Sequence, residues 1–465
     1  MAELWQRSAL ELADAIARRE VTSEEVVRAH LDRIDAVNGK VNAVTRVLED
    51  ALTVAADADR ALNAGRPVGP LHGVPFTIKE NIDVVGSPTT QGVPALADAL
   101  PSLDAPVVER LRAAGAIPLA RTNLPDLALR LHTDSTLHGV TANPFDATKT
   151  AGGSSGGEAS AIACGLSPLG LGNDIGGSLR NPAFCCGITS LKPSLHRIAR
   201  ASSAKPQDPF LAVQLMAVDG PMARRVSDVR AAFKVIAGRH ARDPFALSAP
   251  FDGPPSATPL RVALVPEPAG GATVPAIAAA VRAAGDALAD AGYEVVETAP
   301  PLVEEAIDTW LRWLMSDIGE LLPVFGNVMS PTAVHFLECL AALVGAVDVA
   351  GHMQLMMRRH EIARRWSGFF VEHPLIVGPV WTGPPFAAGW DVETDDNARA
   401  TIELIRFVTP MNLLGLPAAA VPTGMADGLP TGVQVVADRF REDLCLDAAE
   451  AIEARLGTLT PIDPR

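Results

Sequence analysis

Three stretches of the chain carry residue types suited to acyl transfer. Lys79 ends the apolar run GVPFTIK (73–79), Ser154 and Ser155 sit inside GGSSGG (152–157), and Ser178 lies within DIGGSLR (174–180). Acyl transfer needs a nucleophile, groups that move its proton, and donors aimed at the developing oxyanion. In DIGGSLR two glycines precede a serine. They let the amides of Ile175, Gly176, Gly177 and Ser178 converge on one point, a nest suited to the oxyanion of a tetrahedral intermediate. A lysine in a glycine-bounded apolar run stands out, because the chain has six lysines against 33 arginines. Burial lowers an ammonium pKa by as much as ~3–5 from about 10.4, and the neutral amine is then a general base.

Each stretch also has a plainer reading. GGSSGG alone is a flexible turn, DIGGSLR a turn whose glycines permit positive φ, and Lys79 alone a surface side chain. GGSSGG fits G-x-S-x-G centred on Ser155, the nucleophile elbow, but that motif directly follows a buried strand. Here the preceding residues 143–150, NPFDATKT, are polar and turn-like. An elbow enzyme also needs a histidine partner, and none of His196, His240, His335, His352, His360 or His373 lies in a recognisable signal. GLGNDIG (170–176) has the wrong spacing for a dinucleotide loop.

The elements that must position these residues read as mixed helix and strand. Residues 8–19 carry apolar positions at helical spacing, and Thr22 with Glu25 forms a capping box opening a helix through Val37. Residues 42–48 alternate as a strand and 50–63 form a third helix. From 73 to about 229 short strands, glycine turns and helices follow one another, with a helix over 107–114 and a strand over 116–120. A helix over 158–164 comes directly after the glycine–serine loop, which aims amide N–H groups at whatever the loop holds. Residues 246–259, rich in Pro, Ser and Gly, read as a connector. Strand, helix and strand over 261–265, 277–291 and 293–297 predict a parallel crossover. Residues 304–370 are helical, with Trp310, Trp313, Met353, Met356 and Met357 reading first as core and second as an apolar lid over a substrate pocket. Buried strands over 375–380 and 432–437 and a helix over 443–456 close the chain. The fold class is α/β, a central mixed twisted β-sheet covered by helices on both faces.

Composition narrows the partners. A chain of 465 residues can bury one large core or two to three smaller ones. A net charge of −15 argues against non-specific nucleic-acid binding. The most apolar internal run, 337–347, contains Glu338 and is too short to span a bilayer, and the first residues carry acids and no signal-type apolar core. Five cysteines, an odd number with Cys185 and Cys186 adjacent, fit a reducing cytoplasm. With no HExxH and no paired CxxC, no metal and no cofactor are expected.

In sequence and in order, these stretches resemble the amidase-signature hydrolases. The similarity extends through RTNLPDLA (121–128), ANPFDATKTAGGSSGGEAS (142–160), SLKPS (190–194), DGPMARRVSDV (219–229) and NLLGLPAAAVPTG (412–424), leaving about 235–375 unmatched. The resemblance implies a single catalytic domain over 1–465 with the amidase-signature fold. Its signature core would be at about 70–230, a variable helical substrate-side segment at about 300–375, and a C-terminal part, 376–465, completing the core. It implies Ser178 as nucleophile, Ser154 as bridging serine held by a cis Gly153–Ser154 peptide, and Lys79 as base. Ser155 would fix Lys79, Asp174 and Arg180 would support the nucleophile loop, and Ala128 and Leu129 would line the acyl pocket. The expected activity is that of a cofactor-free, cytoplasmic amidohydrolase. It would cleave small-molecule amides, with esters or carbamates as further substrates, through a Ser178 acyl-enzyme. The alternative is the A subunit of a glutamine-dependent tRNA amidotransferase, against which 300–390 shows no recognisable glutamine-binding segment. Similar proteins are often homodimers, and no nucleic-acid or membrane partner is expected.

Overall fold

The computed structural model describes residues 3–204, 208–255 and 259–465. Its strands are β1 (Val44–Val47), β2 (Pro75–Lys79), β3 (Ile117–Thr122), β4 (Asp134–Ser135), β5 (Gly139–Val140), β6 (Leu169–Asp174), β7 (Thr189–Lys192), β8 (Val218–Ala223), β9 (Arg261–Leu264), β10 (Glu294–Glu297), β11 (Leu375–Pro379), β12 (Ala418–Ala426) and β13 (Leu429–Ala437). Its α-helices are α1 (Ala9–Ala17), α2 (Ser23–Val41), α3 (Ala51–Asn63), α4 (Pro106–Ala113), α5 (Gly156–Ala163), α6 (Arg180–Cys186), α7 (Leu211–Met216), α8 (Val226–Ile236), α9 (Pro275–Asp290), α10 (Val303–Phe325), α11 (Pro331–Ala341), α12 (Val349–Glu372), α13 (Asp395–Leu404), α14 (Thr409–Leu414) and α15 (Glu442–Leu456).

Among the described residues, eleven strands form one sheet in the order β1-β3-β2-β6-β8-β7-β12-β13-β11-β9-β10, and β4 pairs with β5 apart from it. The sheet is mixed. β2 runs parallel to β3 and β6, β8 runs antiparallel to β6, and β9 runs parallel to β10 and β11. Side chains alternate between its two faces as a period of two requires. Ala263, Ile376, Ala418, Ala420 and Val436 join one core with α5, α6 and α10 to α14. Their neighbours Val262, Leu264, Leu375, Val377, Ala419 and Val421 join a second core with α1, α4, α8, α9 and α15. Both faces are therefore covered, and these strands read as continuous apolar runs. Burying each of the larger of these side chains contributes about 1.5–3 kcal/mol.

Local signals act where the sequence places them. Ser8 accepts from the Glu11 amide at the start of α1, and Thr22 accepts from Glu25 at the start of α2. α2 runs one turn beyond Val37, because Val37 and Val41 are both buried on its inner face, and it stops at Asn42 with φ 47°. The crossover over 261–297 is parallel, as its pattern requires. The connector has no helix or strand over 246–255, and 256–258 lie outside the described residues. The helical stretch 304–370 is three helices, α10 to α12, broken before Pro331 and again before Val349.

The core reading of that stretch needs a correction. Trp310 and Trp313 are buried, but Met353, Met356 and Met357 lie on the outside of α12, Met357 being 72% exposed. The buried face of α12 is the stripe Leu355, Ile362, Trp366 and Phe370. The methionines form a second apolar stripe at helical spacing, and periodicity alone does not tell the two apart. Among the described residues, no helix is long and apolar enough to cross a membrane. The five cysteines are buried and free.

β2 and β6 are parallel neighbours, so their C-terminal ends share one edge of the sheet. Lys79 ends β2 and Asp174 ends β6, with Ser178 four residues further on. Loops leaving the carboxyl ends of parallel strands are where an α/β sheet builds its sites.

Candidate active site

Lys79 is fully buried. Its Nζ lies 2.7 Å from Ser154 Oγ, 3.0 Å from Ser155 Oγ and 2.7 Å from Asn173 Oδ1. Burial pulls its pKa from 10.5 down to about 7, against the opposing carboxylates of Asp174, Asp219 and Glu158. The Asn173 amide is turned by its other end, where Nδ2 donates to Asn81 Oδ1 at 2.8 Å. The Ser155 hydroxyl donates to the Asn173 carbonyl at 3.5 Å. Ser154 follows a cis peptide bond from Gly153. The glycine–serine loop then enters α5, which sends Glu158 beneath Lys79 to accept from the hydroxyls of Thr77 and Thr122. Burial raises that carboxyl to about 7. Close approach of loop and sheet requires Gly172 in β6, since a Cβ there would sit 2.8 Å from Ser155 Oγ.

Asp174 organises the loop that carries Ser178. Its carboxylate accepts from the amides of Gly177 and Leu179 at 2.8 and 3.1 Å, from Arg180 Nε and Nη2 at 3.1 Å each, and from Asn412 Nδ2 at 2.8 Å. Burial works to raise this carboxyl, but the Arg180 guanidinium, Lys192 and the Asn412 hydrogen bond together outweigh it and bring it to about 2. Arg180, itself buried, donates its remaining N–H groups to Val408 O, Gln434 Oε1 and Asn412 Oδ1. Gly177 has φ 96°, a conformation that only glycine adopts without strain. Its amide is taken by Asp174, while the amides of Ile175, Gly176 and Ser178 donate to no group among the described residues. From α10, Trp310 Nε1 donates to the Ile175 carbonyl at 2.9 Å, and its ring lies against Gly176.

The structure thus joins Lys79, Ser154 and Ser155 in one network and places Asp174 and Arg180 under the Ser178 loop. The two loops pack together, Gly152 resting on Pro182 and Asn181 just beyond Ser178. Ser178 Oγ makes no hydrogen bond among the described residues, so a Ser154–Ser178 contact is not closed in this state. Sequence reasoning passed over Asn173, Asn81, Asn412 and Gln434. Asn173 stands one position before Asp174 inside a motif already singled out, and Asn412 opens NLLGLP. Gln434 carries no local signal.

An apolar pocket opens on Ser178, Ile175 and Gly176. Ala128 and Leu129 line it, together with Trp310 and Met315 of α10, Phe336 and Leu337 of α11 and Ile402 of α13. Its one charged lining residue among those described, Arg130, is committed to Asp391 through a bidentate pair at 2.6 and 2.8 Å and to Asp134 at 3.1 Å. A wider cleft between α10 and α12, lined by Glu304, Glu305, Asp308 and Asp348, contains none of these residues.

Residues 25–446 match the family model described as amidase. The chain is 41% identical to an indoleacetamide hydrolase of Bradyrhizobium diazoefficiens, over 98% of this chain and 88% of that protein. It is 33% identical to the A subunit of the glutamyl-tRNA(Gln) amidotransferase of Salinispora tropica, over 99% of each. Among solved structures, that of 6-aminohexanoate cyclic dimer hydrolase complexed with substrate matches with a TM-score of 0.85 at 26% identity, covering 100% of both chains. The chain belongs to the amidase-signature family. It is an amide-hydrolysing enzyme with the fold of that family.

Proposed function

We propose that the chain hydrolyses carboxamides with an apolar, aromatic acyl group of the indoleacetamide type, through an acyl-enzyme on Ser178. The reading rests on one observation above all, a buried Lys79 whose Nζ meets Ser154 Oγ at 2.7 Å with its other two contacts already assigned. Asn173 Oδ1 can only accept, so it takes one N–H of a neutral amine. Ser155, whose own proton goes to the Asn173 carbonyl, accepts the second. The lone pair is left facing Ser154.

The steps follow from that arrangement. Lys79 takes the proton of Ser154 as Ser154 takes that of Ser178, and Ser178 Oγ attacks the amide carbonyl. The free amides of Ile175, Gly176 and Ser178 stabilise the oxyanion. The proton returns through Ser154 to the leaving nitrogen, the C–N bond breaks, and ammonia or an amine departs. Water, deprotonated by the same relay, then cleaves the Ser178 ester. Esters and carbamates present the same carbonyl to the same donors and are substrates on this reading.

A second reading, the A subunit of an amidotransferase, draws on the Salinispora relative, matched over 99% of each chain. Free glutamine carries an ammonium and a carboxylate that need partners. The pocket is apolar, and Arg130 is already spent on two aspartates. The experiment is a substrate panel of indole-3-acetamide, phenylacetamide, an anilide, an aryl ester, a carbamate and glutamine, assayed on the purified chain and on Ser178→Ala. Aryl amides should turn over without a partner protein, and Ser178→Ala should lose at least about 10³-fold in kcat. Turnover of glutamine alone, or unchanged turnover by Ser178→Ala, would reject the proposal.

A further inference from the structure

We propose that His335, Cys339 and Asp395 form a binding site for a zinc-type divalent cation that ties α11 to α13. His335 and Cys339 stand one turn apart on α11 and so share a face. Asp395 is the first residue of α13. Its Oδ1 lies 3.0 Å from His335 Nε2, and that nitrogen lies 3.5 Å from Cys339 Sγ. All three donor atoms fall within 4.8 Å of one another. A tetrahedral cation bonded to N, O and S at ~2.0–2.3 Å holds its donors ~3.3–3.8 Å apart, so the side chains need only small adjustments.

The donor chemistry selects the class of ion. Imidazole with thiolate suits zinc-type cations and disfavours magnesium or calcium, and one thiolate with one carboxylate neutralises both charges. The surroundings fit as well. The second ring nitrogen of His335, Nδ1, faces Glu338 Oε2 at 3.7 Å, the carboxylate–imidazole arrangement that orients a metal-bound histidine. Arg399 lies 3.8 Å from Asp395 Oδ2, which leaves Oδ1 to the cation. Side chains of His335 and Asp395 are more than half exposed, at 58% and 54%, so the ion enters from solvent. Binding releases the Cys339 thiol proton to water, and affinity therefore rises with pH.

The site stands apart from the Lys79 network and does not depend on which amide the enzyme cleaves. Its consequence is mechanical. α11 brings Phe336, Leu337 and Leu340 to the apolar pocket and α13 brings Thr401 and Ile402. A cation bridging the two helices pins two walls of that pocket together. A scan for ligand spacing misses the site, because its third donor lies far along the chain from HFLEC (335–339).

The test uses the full chain, with Zn²⁺ titrated calorimetrically against a competing chelator and Co²⁺ followed by absorption. One cation should bind per chain. Co²⁺ should give a near-ultraviolet thiolate charge-transfer band that Cys339→Ser removes. His335→Ala and Asp395→Asn should weaken binding at least about tenfold. Zn²⁺ should slow amide hydrogen exchange across 331–341 and 395–404 in the unaltered chain and not in Cys339→Ser. Retained amidase activity reports that the variants are folded. No binding at micromolar Zn²⁺, equal binding in all three variants, or binding without slower exchange in these helices would each overturn the proposal.

Discussion

At the residue scale the proposed chemistry turns on where the lone pair of Lys79 points. Burial brings the amine to a pKa of about 7, so that it is neutral above that pH, but a neutral amine is a useful base only if its N–H groups are held away from the serine it would deprotonate. Asn173 and Ser155 do that holding. The rise of kcat/KM with pH should accordingly have its midpoint near 7 and level off above it, as the ammonium loses its proton. Replacing Asn173 by Asp sets a carboxylate where an amide oxygen now lies 2.7 Å from Nζ. An opposite charge that close favours the ammonium and raises its pKa by about 1–3. The midpoint for Asn173→Asp should move up by at least about one pH unit, with activity at pH 7 down about fivefold or more and partly regained above pH 8. A purely structural Asn173 would leave the midpoint where it was. As candidates, Lys79, Ser154 and Ser178 were legible in the sequence because a scarce residue type and glycine-flanked serines mark them. Asn173 was not, because an asparagine beside an aspartate reads as turn chemistry until its amide is seen to face the lysine.

At the scale of elements the sheet is a fixed frame and the pocket is a set of helices laid against it. The frame was readable because its signals are local. Short strand-type runs at 261–265 and 293–297 around an apolar helix yield the β9–α9–β10 crossover directly. The pocket was not readable, because Phe336 and Ile402 meet only through the packing of α11 on α13, and nothing within either helix announces the other. The same blindness put Met353 and Met357 in the core, when α12 buries its Leu355–Phe370 stripe instead. A large side chain at Leu337 tests the assignment of α11 as a pocket wall. Leu337→Trp should occupy acyl space, at an overpacking cost of about 1–3 kcal/mol in stability. KM for indole-3-acetamide should rise at least about tenfold, while kcat/KM for acetamide stays within about threefold. Equal losses on both substrates would mean that Leu337 supports the fold and does not set acyl size.

For the whole molecule, the buried charges needed around the site shape how stability responds to pH. Lys79 and Lys192 are both fully buried, and burial brings each from 10.5 to about 7. Lys192 lies outside the reaction, its Nζ donating to the carbonyls of Pro193 and Leu416 at 3.0 and 2.6 Å. Between pH 7 and 10.5 the unfolded chain holds a proton on each lysine that the folded chain has released, so stability rises with pH across that range. Other buried groups bound the window. Glu158, raised by burial to about 7, removes stability between about 4.5 and 7 as pH rises. His30 and His132, lowered by burial to about 3 and about 4, add stability up to about 6.5. Above about 9 the buried thiols act the other way, Cys164 being held to about 12. From pH 7 to 9, then, the two lysines dominate, each contributing at most ~1.4 kcal/mol per pH unit. Lys192→Met removes one of them. It should lower stability at every pH, because two buried carbonyls lose their donor. It should also reduce the slope of unfolding free energy against pH by about half between 7 and 9, as read from denaturant unfolding at fixed ionic strength. A parallel downward shift with an unchanged slope would show that Lys192 keeps its proton in the folded chain.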